Sequence, residues 1–352
     1  MRGVSVTALL IVKNEEHNLR DCLASLSGSV DEVTVVDTGS EDGTVDIARD
    51  FGARVLHFRW TGDFAAARNF AITSCTTRWA LYIDADERIS ASSRLPFRHI
   101  IQPDWLAADI LLRPKTNYTR YRLARLFRID PRIRFTGAIH ETILPSIEQM
   151  TGGPASDAVK LTAIEIDHYG YEGDLRSKHL RNLPLLERCI GEFPDRVFYW
   201  FHLTETLLGL GRFEEAVAAG ESGLEAAGRV PSEKSRVDAA MICQMLSAAM
   251  LERASDPRDL LETGLALHPG NYGLQLTKAR RELLFGDPAK SLPIARALQS
   301  VDPASLAPGL IAYDRDIFGR YAAEMEIASL SRLGRWTEAA QLIAANASRL
   351  RG

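Results

Sequence analysis

The stretch Trp79-Ala80-Leu81-Tyr82-Ile83-Asp84-Ala85-Asp86-Glu87 limits the possible folds more than any other part of the chain. Five residues suited to a buried strand run straight into three carboxylates within four positions. A continuous apolar run of this kind suits the middle of a parallel sheet, covered on both faces. Carboxylates are costly to bury, so they belong just past the strand's end, where a ligand or metal can neutralise them. In extended chain Asp84 and Asp86 would point the same way. Such a pair of oxygen ligands suits a hard cation, Mg²⁺ or Mn²⁺, which keeps further positions for phosphate oxygens and water. An isolated Asp-x-Asp is also a common solvated turn, and it is the upstream sequence that favours a ligand site.

Upstream, Val6 to Val12, Glu32 to Val36 and Arg54 to Phe58 read as strands. Between them Glu15 to Leu26 carries Leu19, Leu23 and Leu26 at helical spacing, Asp42 is placed to cap a helix through Phe51, and Phe64 to Thr73 makes a third helix. This alternation predicts an α/β fold: a parallel sheet with helices on both faces and a ligand site at the carboxyl ends of its strands. Polar residues fall at those ends. Lys13 and Asn14 follow the first strand, Asp37 the second, and Asp84 and Asp86 the fourth. The turn after Asp37 lacks Gly-x-Gly-x-x-Gly, and no Gly-Lys-Ser/Thr occurs, which argues against dinucleotide-binding and P-loop sites. Asp37 is suited to a nucleobase or ribose and equally to capping its own turn. Arg68, beside Asn69 in an alanine-rich helix, has the planar donor fork for a phosphate and equally for a structural salt bridge.

Four segments together resemble successive motifs of family 2 glycosyltransferases: Ile11-Val12-Lys13-Asn14-Glu15-Glu16, Asp37-Thr38-Gly39-Ser40-Glu41-Asp42-Gly43-Thr44, Asp63-Phe64-Ala65-Ala66-Ala67-Arg68-Asn69 and Ile83-Asp84-Ala85-Asp86-Glu87. The resemblance implies a GT-A fold and inverting transfer of a hexose or N-acetylhexosamine from a nucleotide-sugar, a UDP-sugar first. It implies that Lys13 and Asn14 line the donor site and that Asp37 contacts the nucleobase. Arg68 would meet the diphosphate, and Asp84 with Asp86 the ribose and a divalent metal, Mn²⁺ or Mg²⁺.

Beyond residue 90, Ala108 to Leu112 and Tyr121 to Phe127 read as strands, and Met150 to Ser156 as a loop. Leu126-Phe127-Arg128 with Arg134-Phe135-Thr136-Gly137-Ala138-Ile139-His140-Glu141 resembles a subgroup of these transferases that carry a helical repeat tail. An inverting transferase needs a base for the acceptor's proton. Glu141, after the Gly137 turn, is the first candidate and Glu87 the rival, with a salt bridge to an arginine as the alternative role for Glu141. His140 could help place the diphosphate or the acceptor. His168, in His168-Tyr169-Gly170-Tyr171, is implied as a third metal ligand; a structural hydrogen bond is its alternative role.

From Lys178 the pattern becomes helical, and after residue 194 no strand-like run appears. Leu210-Gly211-Arg212-Phe213-Glu214-Glu215-Ala216 nearly superposes on Leu333-Gly334-Arg335-Trp336-Thr337-Glu338-Ala339, and Phe285-Gly286-Asp287-Pro288 carries a similar turn. This resembles tetratricopeptide (TPR) repeats, helix pairs of about 34 residues. Four pairs are expected, the second degenerate. The domains are therefore expected at 1–194 (GT-A) and 195–352 (TPR-like). The combination resembles transferases that glycosylate peptide side chains, including the S-glycosyltransferases of glycosylated bacteriocins, so a peptide or protein acceptor and pairing of subunits through the repeats are further expectations. The competing readings are a saccharide or lipid-linked acceptor in envelope glycan assembly, and a non-catalytic TPR interaction protein with a relic GT-A domain.

Composition fits this picture. The chain has 352 residues, ample for two domains, and is 46% apolar and 25% charged, as soluble globular proteins are. A net charge of −4 gives no reason to expect nucleic acid. Four widely spaced cysteines suggest neither a zinc site nor a disulfide framework. The first apolar run is too short to span a bilayer and resembles no signal peptide, so no integral membrane segment and a cytoplasmic location are expected.

Overall fold

The computed structural model describes residues 4–170 and 175–346. It divides into two compact units, Met1–Thr116 with Arg120–Gly173 and Pro308–Ile311, and Asn117–Thr119 with Asp174–Ala307 and Ala312–Gly352.

The first unit opens with β1 (Val6–Val12), α1 (Glu16–Leu26), β2 (Glu32–Asp37), α2 (Thr44–Asp50), β3 (Arg54–His57), α3 (Phe64–Thr73) and β4 (Trp79–Tyr82). It continues with β5 (Glu87–Ile89), β6 (Ala107–Pro114), β7 (Tyr121–Arg128), α4 (Leu144–Thr151), α5 (Ala155–Ala158), β8 (Val159–Lys160) and β9 (Glu165–His168). The strands form one sheet in the order β3-β2-β1-β4-β7-β6-β9-β5, with β8 beside β6. Strand period decides which helix packs where. Val6, Ala8, Leu10 and Val12 of β1 pack with Leu19, Cys22, Leu23 and Leu26 of α1, while Leu9 joins Ala65, Ala71 and Ile72 of α3. The helices thus cover both faces.

The α/β expectation holds, with one correction: the sheet is mixed. Strands β1 to β4 run parallel, but β7 pairs antiparallel with β4, and β5 antiparallel with β9. The segment read as a loop from Met150 begins inside α4, whose end is set by Gly152 in the left-handed region at φ 70°. Tyr171, the last residue of the His168 pattern, lies outside the described residues.

The second unit is helical: α6 (Leu175–Glu192), α7 (Val197–Gly209), α8 (Phe213–Arg229), α9 (Glu233–Glu252), α10 (Arg258–Leu267), α11 (Tyr272–Phe285), α12 (Pro288–Gln299), α13 (Arg320–Arg332) and α14 (Trp336–Ala345). Helix α6 groups here, whereas the sequence placed it before the boundary at 194. The helices α7 to α14 make the four pairs expected, and the poorly fitting second pair joins the 20-residue α9 to the 10-residue α10. The two matching turns share a conformation. Gly211 and Gly334 have φ 77° and 73°, and Arg212 and Arg335 donate backbone bonds of 2.9 Å to Leu207 and Leu330. The turn at Gly286 is different, a correction to its likeness. Its φ is −127°, a Cβ there would meet the Glu282 carboxylate, and Asp287 caps α12 instead. No described helix is long and apolar enough to cross a membrane.

Candidate functional site

Each candidate residue lies in the first unit, most of them at the carboxyl ends of β1, β2 and β4. The β1 and β2 ends are tied together. Asn14, left-handed at φ 55°, donates its N–H to the Ser40 hydroxyl oxygen at 3.0 Å, and its own Oδ1 accepts the Glu41 N–H at 2.8 Å. Asp37, in register with Val12, folds its loop around itself by accepting the N–H groups of Gly39 (3.3 Å) and Ser40 (3.0 Å). His57 Nδ1 lies 3.3 Å from Oδ2, the oxygen that also accepts the Gly39 N–H. Burial would push this carboxyl up, but the Ser40, His57 and Gly39 contacts hold it below the usual carboxylate range. Lys13 is exposed and makes no ion pair among the described residues. The result is an open rim with a fixed acid beneath it.

The end of β4 is built differently. The chain does not stay extended past Tyr82. It turns, Glu87 N–H reaching the Asp84 carbonyl at 3.0 Å, and so Asp84 and Asp86 part company. Asp84 turns onto two arginines: Arg68 Nη2 at 2.9 Å on Oδ1 and Arg125 Nη1 at 3.3 Å on Oδ2. Burial opposes its charge, yet Arg125 and Arg68 hold its carboxyl far below the usual range. Asp86 meets His168 instead, Oδ2 to Nε2 at 3.2 Å. Pairing of β5 with β9 sets Glu87 opposite His168, and the Tyr169 N–H binds the Asp86 carbonyl at 3.0 Å. The Asp86 contact raises His168 against the effect of burial.

Arg68 is buried at the start of the second turn of α3, a helix capped by Asp63, which accepts the Ala66 N–H at 2.8 Å. Besides Asp84 it grips Glu141 through Nε, and its Nη1 is buried without a hydrogen-bond partner. Glu141 sits on a loop closed by reciprocal Thr136–Thr142 backbone bonds of 3.0 and 3.1 Å, with Gly137 and His140 left-handed at φ 99° and 51°. The neighbouring Asn69 steadies that loop by exchanging two 2.9 Å bonds with the Phe135 backbone. So consecutive residues of α3 hold the β4 turn and the Glu141 loop. Glu87, the rival base, is only 1% exposed. Its oxygens accept Arg125 Nη2 and the Asp84 N–H, both at 2.9 Å, and burial pushes it up against the pull of Arg125. No acceptor reaches it in this arrangement.

Sequence reasoning missed Arg125. It lies in β7 next to the β4 pairs Ala80–Phe127 and Leu81–Leu126, so continuing the register sets it beside Tyr82. Its Cζ is 4.2 Å from the Tyr82 ring centroid, and that of Arg68 is 4.5 Å from the same centroid. A usable signal existed: an arginine inside Leu123-Ala124-Arg125-Leu126-Phe127 must find a carboxylate if the strand is buried.

For a divalent cation, Asp86 and His168 are adjacent, with side chains 25% and 34% exposed. Carboxylate oxygen and imidazole suit Mn²⁺, and two protein ligands leave positions for phosphate oxygens. Asp84 has both oxygens committed to arginine, and no group of three His, Cys, Asp or Glu side chains is gathered to hold a metal among the described residues.

Residues 7–143 match the model for Glycosyl transferase family 2. A TPR repeat-containing protein of Synechococcus elongatus is 35% identical over 230 residues, 62% of this chain and 56% of that protein. The SPbeta prophage-derived glycosyltransferase SunS of Bacillus subtilis is 26% identical over 253 residues, 69% of this chain and 58% of SunS. The chain thus spans less than two thirds of the length of these relatives. Residues 1–349 of TarS from S. aureus superpose with a TM-score of 0.40 at 14% identity, covering 76% of this chain and 93% of that one. A Mycobacterium tuberculosis glucosyl-3-phosphoglycerate synthase bound to Mn²⁺ and UDP gives 0.40 at 14%, covering 53% and 80%. Such superpositions are too loose to align side chains.

Proposed function

Given a family 2 glycosyl transferase domain over residues 7–143, we propose that this chain is an inverting glycosyltransferase. It moves a hexose or N-acetylhexosamine from a UDP-sugar to an acceptor, with a peptide side chain as the acceptor. The observation that carries the reading is the Asp37 loop, the Arg68–Glu141 pair and Asp86 of that domain, Asp86 being met by His168 from β9 just beyond it. The peptide acceptor rests on the TPR-like helices that follow, since repeats of this kind bind peptides.

In this reading the Asp37 loop and Asn14 receive the nucleoside, and Asp86 with His168 would hold Mn²⁺ or Mg²⁺. That cation would supply Lewis-acid neutralisation of the departing diphosphate. An acceptor oxygen or sulfur attacks the anomeric carbon from the face opposite the diphosphate. The bond from that carbon to the diphosphate oxygen breaks, UDP leaves with the electron pair, and a single displacement inverts the centre. Glu141 takes the acceptor's proton. Burial of Glu87 and the use of both its oxygens favour Glu141 over its rival. Arg68 orients Glu141 in the free protein.

The test is nucleotide release from a panel of nucleotide-sugars with Mn²⁺ or Mg²⁺. Slow metal-dependent cleavage of one UDP-sugar, lost in Asp86→Ala without loss of folding, is the expected result. Failure to bind or cleave any donor would leave the helical unit as the working part. A one-hexose mass gain on a co-expressed peptide would support the acceptor class, and labelling of lipid or free sugar alone would overturn it.

A further inference from the structure

We propose that Arg125 is a positioning residue of the transfer site: by bridging Asp84 and Glu87 it fixes the turn between them, so that Asp86 and His168 face one another. The inference rests on the transferase reading above. Four bonds define the turn. Two are internal, Glu87 N–H to the Asp84 carbonyl (3.0 Å) and Asp84 N–H to Glu87 Oε2 (2.9 Å). The other two are the arms of one guanidinium, Nη1 on Asp84 Oδ2 (3.3 Å) and Nη2 on Glu87 Oε1 (2.9 Å). Asp86 lies inside the bracket these arms make, and its own side chain is left for His168.

The bracket is stiff because Arg125 is itself held. It is 6% exposed, and its Cζ lies 4.2 Å from the centroid of Tyr82, the last residue of β4. Strand β7 carries it at fixed register to β4. Only a planar fork can engage two carboxylates at once with parallel N–H groups; an ammonium is a point charge that serves one geometry at a time. A buried ion pair is by itself weak evidence of a stabilising role. What singles this one out is its partners. They are the residues two before and one after Asp86, so any slack in the pair becomes displacement of Asp86 relative to His168 on β9. Groups that orient a metal ligand from behind commonly control affinity by ten- to a hundredfold, as a rough guide.

Arg125→Lys keeps the charge and most of the volume and loses the fork. Mn²⁺ bound by the protein in the presence of UDP is counted from the fall of the free-ion EPR signal. Half-saturating Mn²⁺ and kcat for donor cleavage, and the thermal midpoint, are read on the same samples. The expected result is Mn²⁺ affinity weaker by roughly 10- to 100-fold, with cleavage partly restored as Mn²⁺ is raised. A role confined to stability would lower the midpoint or the active fraction and leave half-saturating Mn²⁺ where it was, and a folded variant with unchanged Mn²⁺ affinity overturns the proposal. Should Arg125→Lys not fold, Glu87→Gln loosens one arm of the fork and is judged by the same shift. If the wild type binds neither Mn²⁺ nor UDP and cleaves no donor, the transferase reading falls first, and this inference with it.

Discussion

Arg212 and Arg335 each reach one helical turn forward, Nε to Oε1 of Glu215 and Glu338 at 2.6 Å in both repeats, on the open surface of the helical unit. Arg68 and Arg125 reach across 16 to 73 residues of sequence to Asp84, Glu87 and Glu141, in the interior of the α/β unit. The side chains are of the same kinds, but their energetics differ. An exposed pair three residues apart gains little over its solvated parts and is screened by salt. In the cluster Arg68, Arg125, Glu87 and Glu141 have lost nearly all of their water, while the Asp84 side chain is still 41% exposed, so the two buried guanidiniums depend on the carboxylates around them. The repeat pair recurs because a short motif recurs. The cluster exists once, where four segments meet at the end of β4.

The largest effects should come from the cluster. Glu141→Gln keeps the shape and loses the charge. If Glu141 is the base, turnover falls by about 10²- to 10⁴-fold while UDP still binds. Near-normal donor-to-acceptor transfer in this variant would remove it as the base and leave its bond to Arg68 as its whole role. Glu87→Ala strips a partner from the buried Arg125. The expected cost is about 3–5 kcal/mol, read as a shift of the urea midpoint at unchanged slope. A shift under about 1 kcal/mol would place Glu87 among the ordinary surface pairs and end the distinction for that residue.

Asp238 sharpens the comparison from the other side, being a buried carboxylate in α9 whose largest opposing charge is Lys234, four residues back on the same helix, rather than a buried arginine fork. Burial pushes it up to about 6, and Lys234, His202 and Arg196 pull it down only in part. Its folded value is raised, so the protonated form is the one the fold favours. The stability tied to it is whole below about pH 4, drains away as pH rises toward about 6 and is level above that. Asp238→Asn should match wild type in acid and exceed it at pH 7 by about 2–3 kcal/mol. Unfolding free energies at several pH values check this, and a difference between the two proteins that does not vary with pH would refute it.

How much of this was legible depended on how local the cause was. Strands β1 to β4 and their helices were readable because apolar runs and helical spacing are written within a dozen residues. Asp37, Asp84 and Asp86 were placed at strand ends by the same reasoning. Three-residue β5 was not readable, since its existence depends on β9 nearly eighty residues later. The parting of Asp84 from Asp86 was hidden for the same reason: extended geometry was assumed, and a turn closed by Glu87 and Arg125 was adopted. Helix α4 carries no helical signal strong enough to read, and its last two residues, Met150 and Thr151, share the loop composition of the glycines that follow them. The likeness of the repeat turns at Gly211 and Gly334 was legible and extends to a shared left-handed glycine, whereas Gly286 shared the letters without sharing that backbone.

The smallest expected effect is the most direct test of the comparison. Glu215→Ala and Glu338→Ala each remove a bidentate partner with Arg Nε at 2.6 Å, shorter than any contact that Asp84 or Glu87 makes to the cluster's arginines. Short distance would suggest strength. Yet both ends stay in water when the pair is broken, so solvent replaces what is lost and no buried charge is stranded. Each single variant, and the two together, should leave the thermal midpoint and its salt dependence within error of wild type. A clear drop for either would mean that these pairs fix the turn after Gly211 or Gly334 through the helix start, a structural role that exposure alone hides. A drop for both, summing in the double variant, would place the repeat pairs beside the buried cluster, and burial would no longer be what separates the two.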